Sequence, residues 1–428
     1  MRTSIIKDFS IVSLGTIVAK LAYFLVLPFL SRSFTPEDFT LLSSFLSLAT
    51  IISVAMCFRY DAAIMVAEKK CDAIELVVLS LFISIAFSIV AYLLVFIIYV
   101  FFLEGDVKYQ VLLYSPFAAL FLALFLIAQS VKVRFGKFLE LSKIKILQSF
   151  IGVGFLTFFA YIQPLAVFLI LGNIISNTLV GVFSTLTIFF KRIRNIRCKK
   201  LVYISRKYIN FPKYSTFEAI SNIAGLQIPI FIISFLSGDK GGQLFIAMQV
   251  LFAPLTLVGQ SLSQVYAKRG REHKDKGTLS EFTSSIVTKL LYFGVVPIIL
   301  IGIFIPTIFN FVFGSDWDGA AYYGVMLIPW IVMQFMASPI SSIMYINNQQ
   351  RRFLNITFLG MLLRVIPTFL FFIFLEKYTV EVFIFTSTLF YSLCFYSFTR
   401  TSGIRLIEVN VLFLKAVIIL FVAFYFFS

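Results

Sequence analysis

FSIVSLGTIVAKLAYFLVLPFLSRSFTPEDF, residues 9–39, is the stretch from which the fold class is read. From Phe9 to Leu30 it is apolar apart from small hydroxyl residues and Lys20. A helix of ~20 residues rising ~1.5 Å per residue covers the ~30 Å of a bilayer's hydrocarbon core. Lys20 falls near the midpoint, where a cation costs at least ~2.5 to 3.5 kcal/mol on insertion scales and is expected to face a polar interior. After Pro28 the chain turns polar, in SRSFTPED. A second stretch of the same outline, YSTFEAISNIAGLQIPIFIISFLSGDKGGQLF from Tyr214, carries Glu218 as its one ionisable residue in the apolar run.

Working outward, apolar runs of spanning length recur at 9–30, 39–58, 75–101, 110–131, 143–162, 165–190, 212–236, 243–266, 286–313, 320–345, 354–375, 380–398 and 409–427. The chain of 428 residues is 60% hydrophobic and only 13% charged, against about 25% charged in soluble domains, and its mean hydropathy is +0.98. The reading is an all-α polytopic membrane protein with 12 to 13 transmembrane helices. Of its 36 Lys and Arg residues, twenty-nine fall on one side if the N-terminus is cytoplasmic, four on the other and three (Lys20, Arg364, Lys415) within spans. That asymmetry sets the orientation and accounts for the net charge of +16 without nucleic acid. Lys143 and Lys145, at the start of the fifth span, are counted among the cytoplasmic cations.

The loops assigned outside are short, which leaves nothing folded there. The longest cytoplasmic loop, KRIRNIRCKKLVYISRKYINFPK, separates two sets of six spans and reads as a topogenic anchor. Expected divisions are an N-terminal six-helix bundle (1–195), a C-terminal six-helix bundle (196–400) and an additional helix (401–428). A slide of 206 residues places Phe29, Leu30 and Ser31 on Phe235, Leu236 and Ser237, and Phe39 on Phe245. Both opening spans run in the same sense, so the halves form a parallel repeat, a plan found in many transporters.

Metal-ligand spacing, phosphate-cradling glycine loops and Ser/His pairs are missing from the sequence, and no cofactor is implied. Cys57, Cys71, Cys198 and Cys394 suggest no disulfide framework. His273, in KRGREHKDKG, reads as a solvated loop residue. The first apolar run is too long for a signal-peptide core and ends without a small-residue cleavage site. Catalysis is therefore disfavoured. Polar stripes in the spans carry the functional signal: Ser13, Thr16 and Lys20; Glu218, Asn222, Gly225 and Pro229; Gln249, Thr256, Gln260 and Gln264; and Thr357, Gly360, Arg364 and Thr368. In apolar helices such stripes face the bundle interior or a wet cavity. Lys20 and Arg364 read as cavity-lining cations, Gln260 and Gln264 as cavity-lining amides, and Glu218 as a structural partner or a coupling group. Lys415 is shallow enough to snorkel, and a structural role is expected for Arg59 and Asp61. Prolines 28, 116, 229, 254, 297, 306, 329, 339 and 367 read as kinks or hinges in spans.

LGTIVAKLAYFLVLPFLSRSFTPEDFT, then FRYDAAIMVAEK, then AMQVLFAPLTLVGQSLSQVYAKR resemble the polysaccharide-transporter family, the Wzx-type O-antigen flippases of the multidrug/oligosaccharidyl-lipid/polysaccharide exporter superfamily. The turn from Leu27 to Phe39 and the stretch from Pro254 to Val265 are the most specific parts. The resemblance implies two six-helix bundles in the bacterial inner membrane. It also implies transfer of an undecaprenyl-pyrophosphate-linked oligosaccharide to the periplasmic leaflet, among membrane lipids and polysaccharide-assembly partners, with a cation or proton as candidate coupling ion. Lys20 and Arg364 offer the cations for pyrophosphate. A drug/ion antiporter of the same superfamily and a polysaccharide polymerase or ligase are the alternatives, the latter disfavoured by the short external loops.

Overall fold

The computed structural model of the chain describes residues 2–103, 107–192, 198–235 and 238–405, with single positions between 408 and 418. Within these, the side chains of residues 2–13, 102–103, 107–108, 180, 183–192, 198, 256–257, 260–261, 264 and 268 are not described. Of the expected span at 409–427 only single positions are described, and Lys415 is not among them. The chain forms two compact units, Met1–Ser234 and Phe235–Ser428.

The first unit contains α1 (Arg2–Ser33), α2 (Pro36–Met56), α3 (Tyr60–Val66), α4 (Lys70–Ile98), α5 (Ser115–Arg134), α6 (Phe138–Ile162), α7 (Ala166–Arg192), α8 (Cys198–Lys207) and α9 (Thr216–Ile233). The second contains α10 (Lys240–Asp275), α11 (Leu279–Leu290), α12 (Val296–Phe313), α13 (Asp318–Ala337), α14 (Ile343–Ile346), α15 (Gln350–Phe374) and α16 (Thr379–Thr401). Among the described residues ten segments are long and apolar enough to cross a membrane, and Ala166–Leu179 of α7 is a shorter apolar one. The expected span at 243–266 falls within α10, whose 36 residues extend beyond it. Twelve of the thirteen expected spans thus fall on helices, and the protein is a multi-pass membrane protein. Large side chains left open on these helices, such as Tyr161 (87% exposed) and Phe311 (84%), are the surface lipid would cover.

The turn after α1 has a local physical cause. Thr35 caps α2: its hydroxyl accepts from the Asp38 amide at 3.3 Å, and the Asp38 carboxylate accepts from the Thr35 amide at 2.8 Å. Pro36 fills the first helical position, where no amide hydrogen is needed. Phe34 and Phe39, either side of the cap, meet edge to face at 6.4 Å. This is a capping box with a hydrophobic staple, which fixes the angle between the first two spans.

Small residues let the helices of the first unit approach closely. Ala119, Ala123 and Ile127 of α5 share a buried cluster with Ala73, Leu76 and Val77 of α4, Ala63 and Ile64 of α3, and Ile204 of α8. Gly181 of α7 lies against the backbone of Phe121 and Phe125. In the second unit Trp330 of α13 is enclosed by Phe252, Phe383 and Tyr391, with ring centroids 5.0, 5.3 and 6.4 Å away.

Two pairs of helices match in length across the halves. α5 and α13 are both 20 residues long, and α6 and α15 are both 25. By sequence α9 opens the second half, yet it packs along α2 and groups with the first unit. The prolines divide in role: 28, 229, 254, 306, 329 and 367 interrupt helices. Pro116 and Pro297 start helices and Pro339 sits in the 3-10 break after α13, each where the helix type changes inside a spanning segment. The expectation for His273 is corrected. The residue lies in the last turn of α10 rather than in a solvated loop, stacks on Phe282 at 4.2 Å and shares a hydrogen bond with Thr278 at 2.8 Å.

Candidate functional site

The polar residues of the first unit converge on a seam where α6 meets α1 and α7. α1 and α6 run side by side in the same direction: Gly15 sits on Ser142, with no room for a Cβ. One turn on, the Lys145 ammonium donates to the Thr16 hydroxyl at 3.1 Å. A further turn brings the Ser149 hydroxyl to the Ala19 carbonyl at 2.5 Å. Parallel packing is what helices one and five of an alternating membrane topology require. α7 runs the opposite way against α6, with Gln148 Nε2 donating to Asn177 Oδ1 at 2.6 Å and Gly152 facing Ser176. The Asn177 amide donates in turn to the Asn173 carbonyl at 2.8 Å, and Asn173 to Leu169 at 3.0 Å.

Lys20 stands one turn beyond Thr16 on α1, half-buried, within electrostatic reach of Lys145. The side chain of Ser13 lies outside the described residues. Sequence reasoning placed Lys145 with the cytoplasmic cations, but it occupies the eighth position of α6, about 10 Å along the helix. Its neighbour toward the helix start, Glu140, is engaged by Lys132 and, at 2.7 Å, by Lys137. The signal that could have found Lys145 was its spacing from Gln148, Ser149 and Gly152, one face of a helix.

A second polar group gathers where α2 ends. Phe58 and Arg59 take positive φ (45° and 59°), a region costly for residues with a Cβ. The Arg59 guanidinium lies 3.9 Å from Asp61, and its Nε is buried with no hydrogen-bond partner among the described residues. Burial raises the Asp61 carboxyl above its ordinary pKa, with Arg59 opposing. Glu218, half-buried in the first turn of α9, is within reach of the Arg59 charge. The structural role expected for Arg59 and Asp61 fits this pairing at a tight chain reversal. Close by, Lys207 ties α8 to the loop before α4 and to α4's first turn, donating to Glu68 at 2.8 Å and Asp72 at 2.7 Å. Those bonds raise the lysine pKa, Asp72 contributing most.

In the second unit Arg364 is 1% exposed. Its Nε donates to the Gly360 carbonyl at 2.9 Å, and its guanidinium carbon lies over the Phe390 ring, 4.3 Å from the centroid. Gly360 makes this possible, because a Cβ there would overlap the Phe390 ring. Nη2 is buried without a hydrogen-bond partner among the described residues. Outside this pair an apolar groove of about 650 Å³ runs along α15 and α16, lined by Leu359, Leu363, Ile366, Phe390 and Leu393. A smaller cleft of about 250 Å³ lies between α10 and α13, with Gly259, Ser263, Gln334 and Ser338 on its walls. Gln260 and Gln264 are on α10, but their side chains lie outside the described residues. Among the described residues no group of His, Cys, Asp and Glu is arranged to hold a metal.

Residues 29–322 match the family described as polysaccharide biosynthesis protein. The chain belongs to that family. Among solved structures this polysaccharide biosynthesis protein is similar to the lipid II flippase MurJ in an inward closed conformation. The TM-score is 0.72 at 12% identity, over 97% of this chain and 92% of that one. It is also similar to an inward-facing multidrug resistance MATE family transporter of the MOP superfamily, with TM-score 0.60, 12% identity and coverage of 93% and 98%. A MOP superfamily transporter from Pyrococcus furiosus gives TM-score 0.55, 12% identity and coverage of 93% and 96%. At such identities the likeness shows the fold, that of the MOP-superfamily transporters. No curated protein matches the chain by sequence.

Proposed function

We propose that the protein is a flippase. It moves an undecaprenyl-pyrophosphate-linked O-antigen or other polysaccharide repeat unit from the cytoplasmic to the periplasmic leaflet of the bacterial inner membrane, by alternating access and without catalysis. The observation that carries the reading is the half-buried, cationic and amide-lined seam of α1, α6 and α7, set inside membrane helices of a polysaccharide biosynthesis protein. A lipid-linked sugar needs a cation for its phosphates and donors and acceptors for its hydroxyls, and hydrocarbon supplies neither.

Lys20 contacts the pyrophosphate in this reading. Arg364 joins only in a state where Phe390 has left its face, and Gln260 and Gln264 line the glycan path. Glu218 couples a cation or proton, with Arg59 as the positive group near it. The lysine and arginine asymmetry supports a cytoplasmic N-terminus. The test is expression in a flippase-deficient strain. The chain restores surface polysaccharide, and Lys20→Ala at equal expression does not. Lipid-linked repeat units that stay on the cytoplasmic leaflet despite wild-type expression would overturn the proposal.

A further inference from the structure

We propose that Lys145 of α6 and Lys20 of α1 form a two-cation clamp that selects a diphosphate over a monophosphate headgroup. The inference rests on the flippase reading for its substrate and on the seam for its geometry.

The packing register places both lysines on the same stretch of the α1–α6 seam. Lys145 reaches Thr16 at 3.1 Å, and Lys20 follows Thr16 by one helical turn on the same side of α1. Ser149 holds the backbone of Ala19 in the same register, so Lys20 is anchored beside α6. Lys145 could stretch toward its own helix start, as membrane lysines do, but its ammonium is directed sideways to α1. Two like charges on one half-buried seam repel, and an anion between them turns that cost into attraction. The seam's helices supply little negative charge of their own. α7 contains no carboxylate, α6 has only Glu140, already engaged by Lys132 and Lys137, and the one acidic residue of α1, Asp8, is more than three turns from Lys20.

The charge count sets the ligand class. A diphosphate diester carries two negative charges, one on each phosphorus, and matches two lysines. A monophosphate diester carries one and leaves an ammonium unanswered. The Gln148 to Asn177 pair, one turn from Lys145, continues the seam with amide groups suited to the hydroxyls of the first sugar.

The experiment uses the full chain in nanodiscs, with two farnesyl glycosyl diesters as probes that differ only in the link, one a diphosphate and the other a monophosphate. Wild type is expected to bind the diphosphate about tenfold or more tightly than the monophosphate. Lys145→Gln and Lys20→Gln each bring that ratio close to one, while Lys145→Arg keeps it. A thermal melt of each variant reports folding separately, and a purely structural lysine would change the melt without changing the ratio. A ratio unmoved by Lys145→Gln overturns the clamp. The same strain assay keeps the two readings apart. Diphosphate selectivity without rescue of export removes the flippase and leaves the clamp, whereas rescue with an unmoved ratio removes only the clamp.

Discussion

α6 and α15 hold the same place in the two halves, have the same length and carry polar residues in the same helical turns, yet they treat them in opposite ways. Counted from the helix starts, Lys145 and Thr357 are both eighth, and Gly152 and Arg364 both fifteenth. On α6 three polar side chains reach across to other helices, Lys145 to Thr16, Gln148 to Asn177 and Ser149 to Ala19, and Thr157, near the far end, turns back to its own helix. On α15 they turn back on their own helix. Thr357 donates to Phe353, Arg364 to Gly360 and Thr368 to Arg364, all to carbonyls four residues earlier. Phe390 then closes over the guanidinium. A charge inside a membrane helix is thus not one kind of signal. A cation whose donors cross an interface remains available to a ligand, and one sealed by an aromatic ring contributes mainly to packing in the conformation described.

The largest effects should come from placing the same charge at the two matching positions. Lys145→Glu should leave expression intact and reduce polysaccharide export about 100-fold, because it reverses one arm of the seam. Thr357→Glu, at a site only 4% exposed, should prevent stable folding, since it buries a carboxylate without a cation. Quantitative surface-polysaccharide and membrane-expression assays read both, and matched behaviour at the two sites would break the contrast. Next, Arg364→Ala should lower unfolding stability in detergent by about 2 to 4 kcal/mol through the space left beside Phe390. Arg364→Met, which nearly fills that space, should cost about 1.5 kcal/mol or less. Loss of export in a well-folded Arg364→Met protein would show instead that this arginine meets the substrate. Gly360→Ala should cost about 1 to 3 kcal/mol by displacing Phe390. Gly152→Ala, whose Cβ would meet the Ser176 Cβ at 3.2 Å, should cost under ~1 kcal/mol. The smallest expected change is at the helix starts. Thr35→Ala should remove ~1 kcal/mol with the α2 cap, while Lys69→Ala at the start of α4 should cost about half that or less, because the exposed Lys69 makes no side-chain cap.

The spans were legible because hydrocarbon thickness imposes a length that composition records directly. The turn at Thr35 was legible as a turn, and its Thr-Pro-Glu-Asp order also encodes the capping box, a signal visible in four consecutive letters. Lys145 was hidden by its position: it lies at the edge of an apolar window, where the positive-inside rule already supplies a reason for lysine. The seal on Arg364 was illegible for another reason. Phe390 stands on the next helix, and one of 54 phenylalanines gives no mark of the arginine it covers. Nor does the repeat foretell that α1 packs on α6 while its sequence counterpart α9 packs on α2. That choice depends on side-chain fit, with Gly15 admitting Ser142 in one case, and a frame duplicated in sequence does not fix it.

The parallel union of α1 and α6 also sets a timetable for making the protein. Thr16 and Lys145 are 129 residues apart, so at the ~5 to 20 residues per second of synthesis the first helix waits on the order of ten seconds for its partner. Throughout that interval a helix with a lysine at its centre has no α6 to shelter it. Residence beside the insertion machinery, or a position displaced toward the membrane surface, would tide it over. The late arrival of α6 would then complete the insertion of the chain's first span.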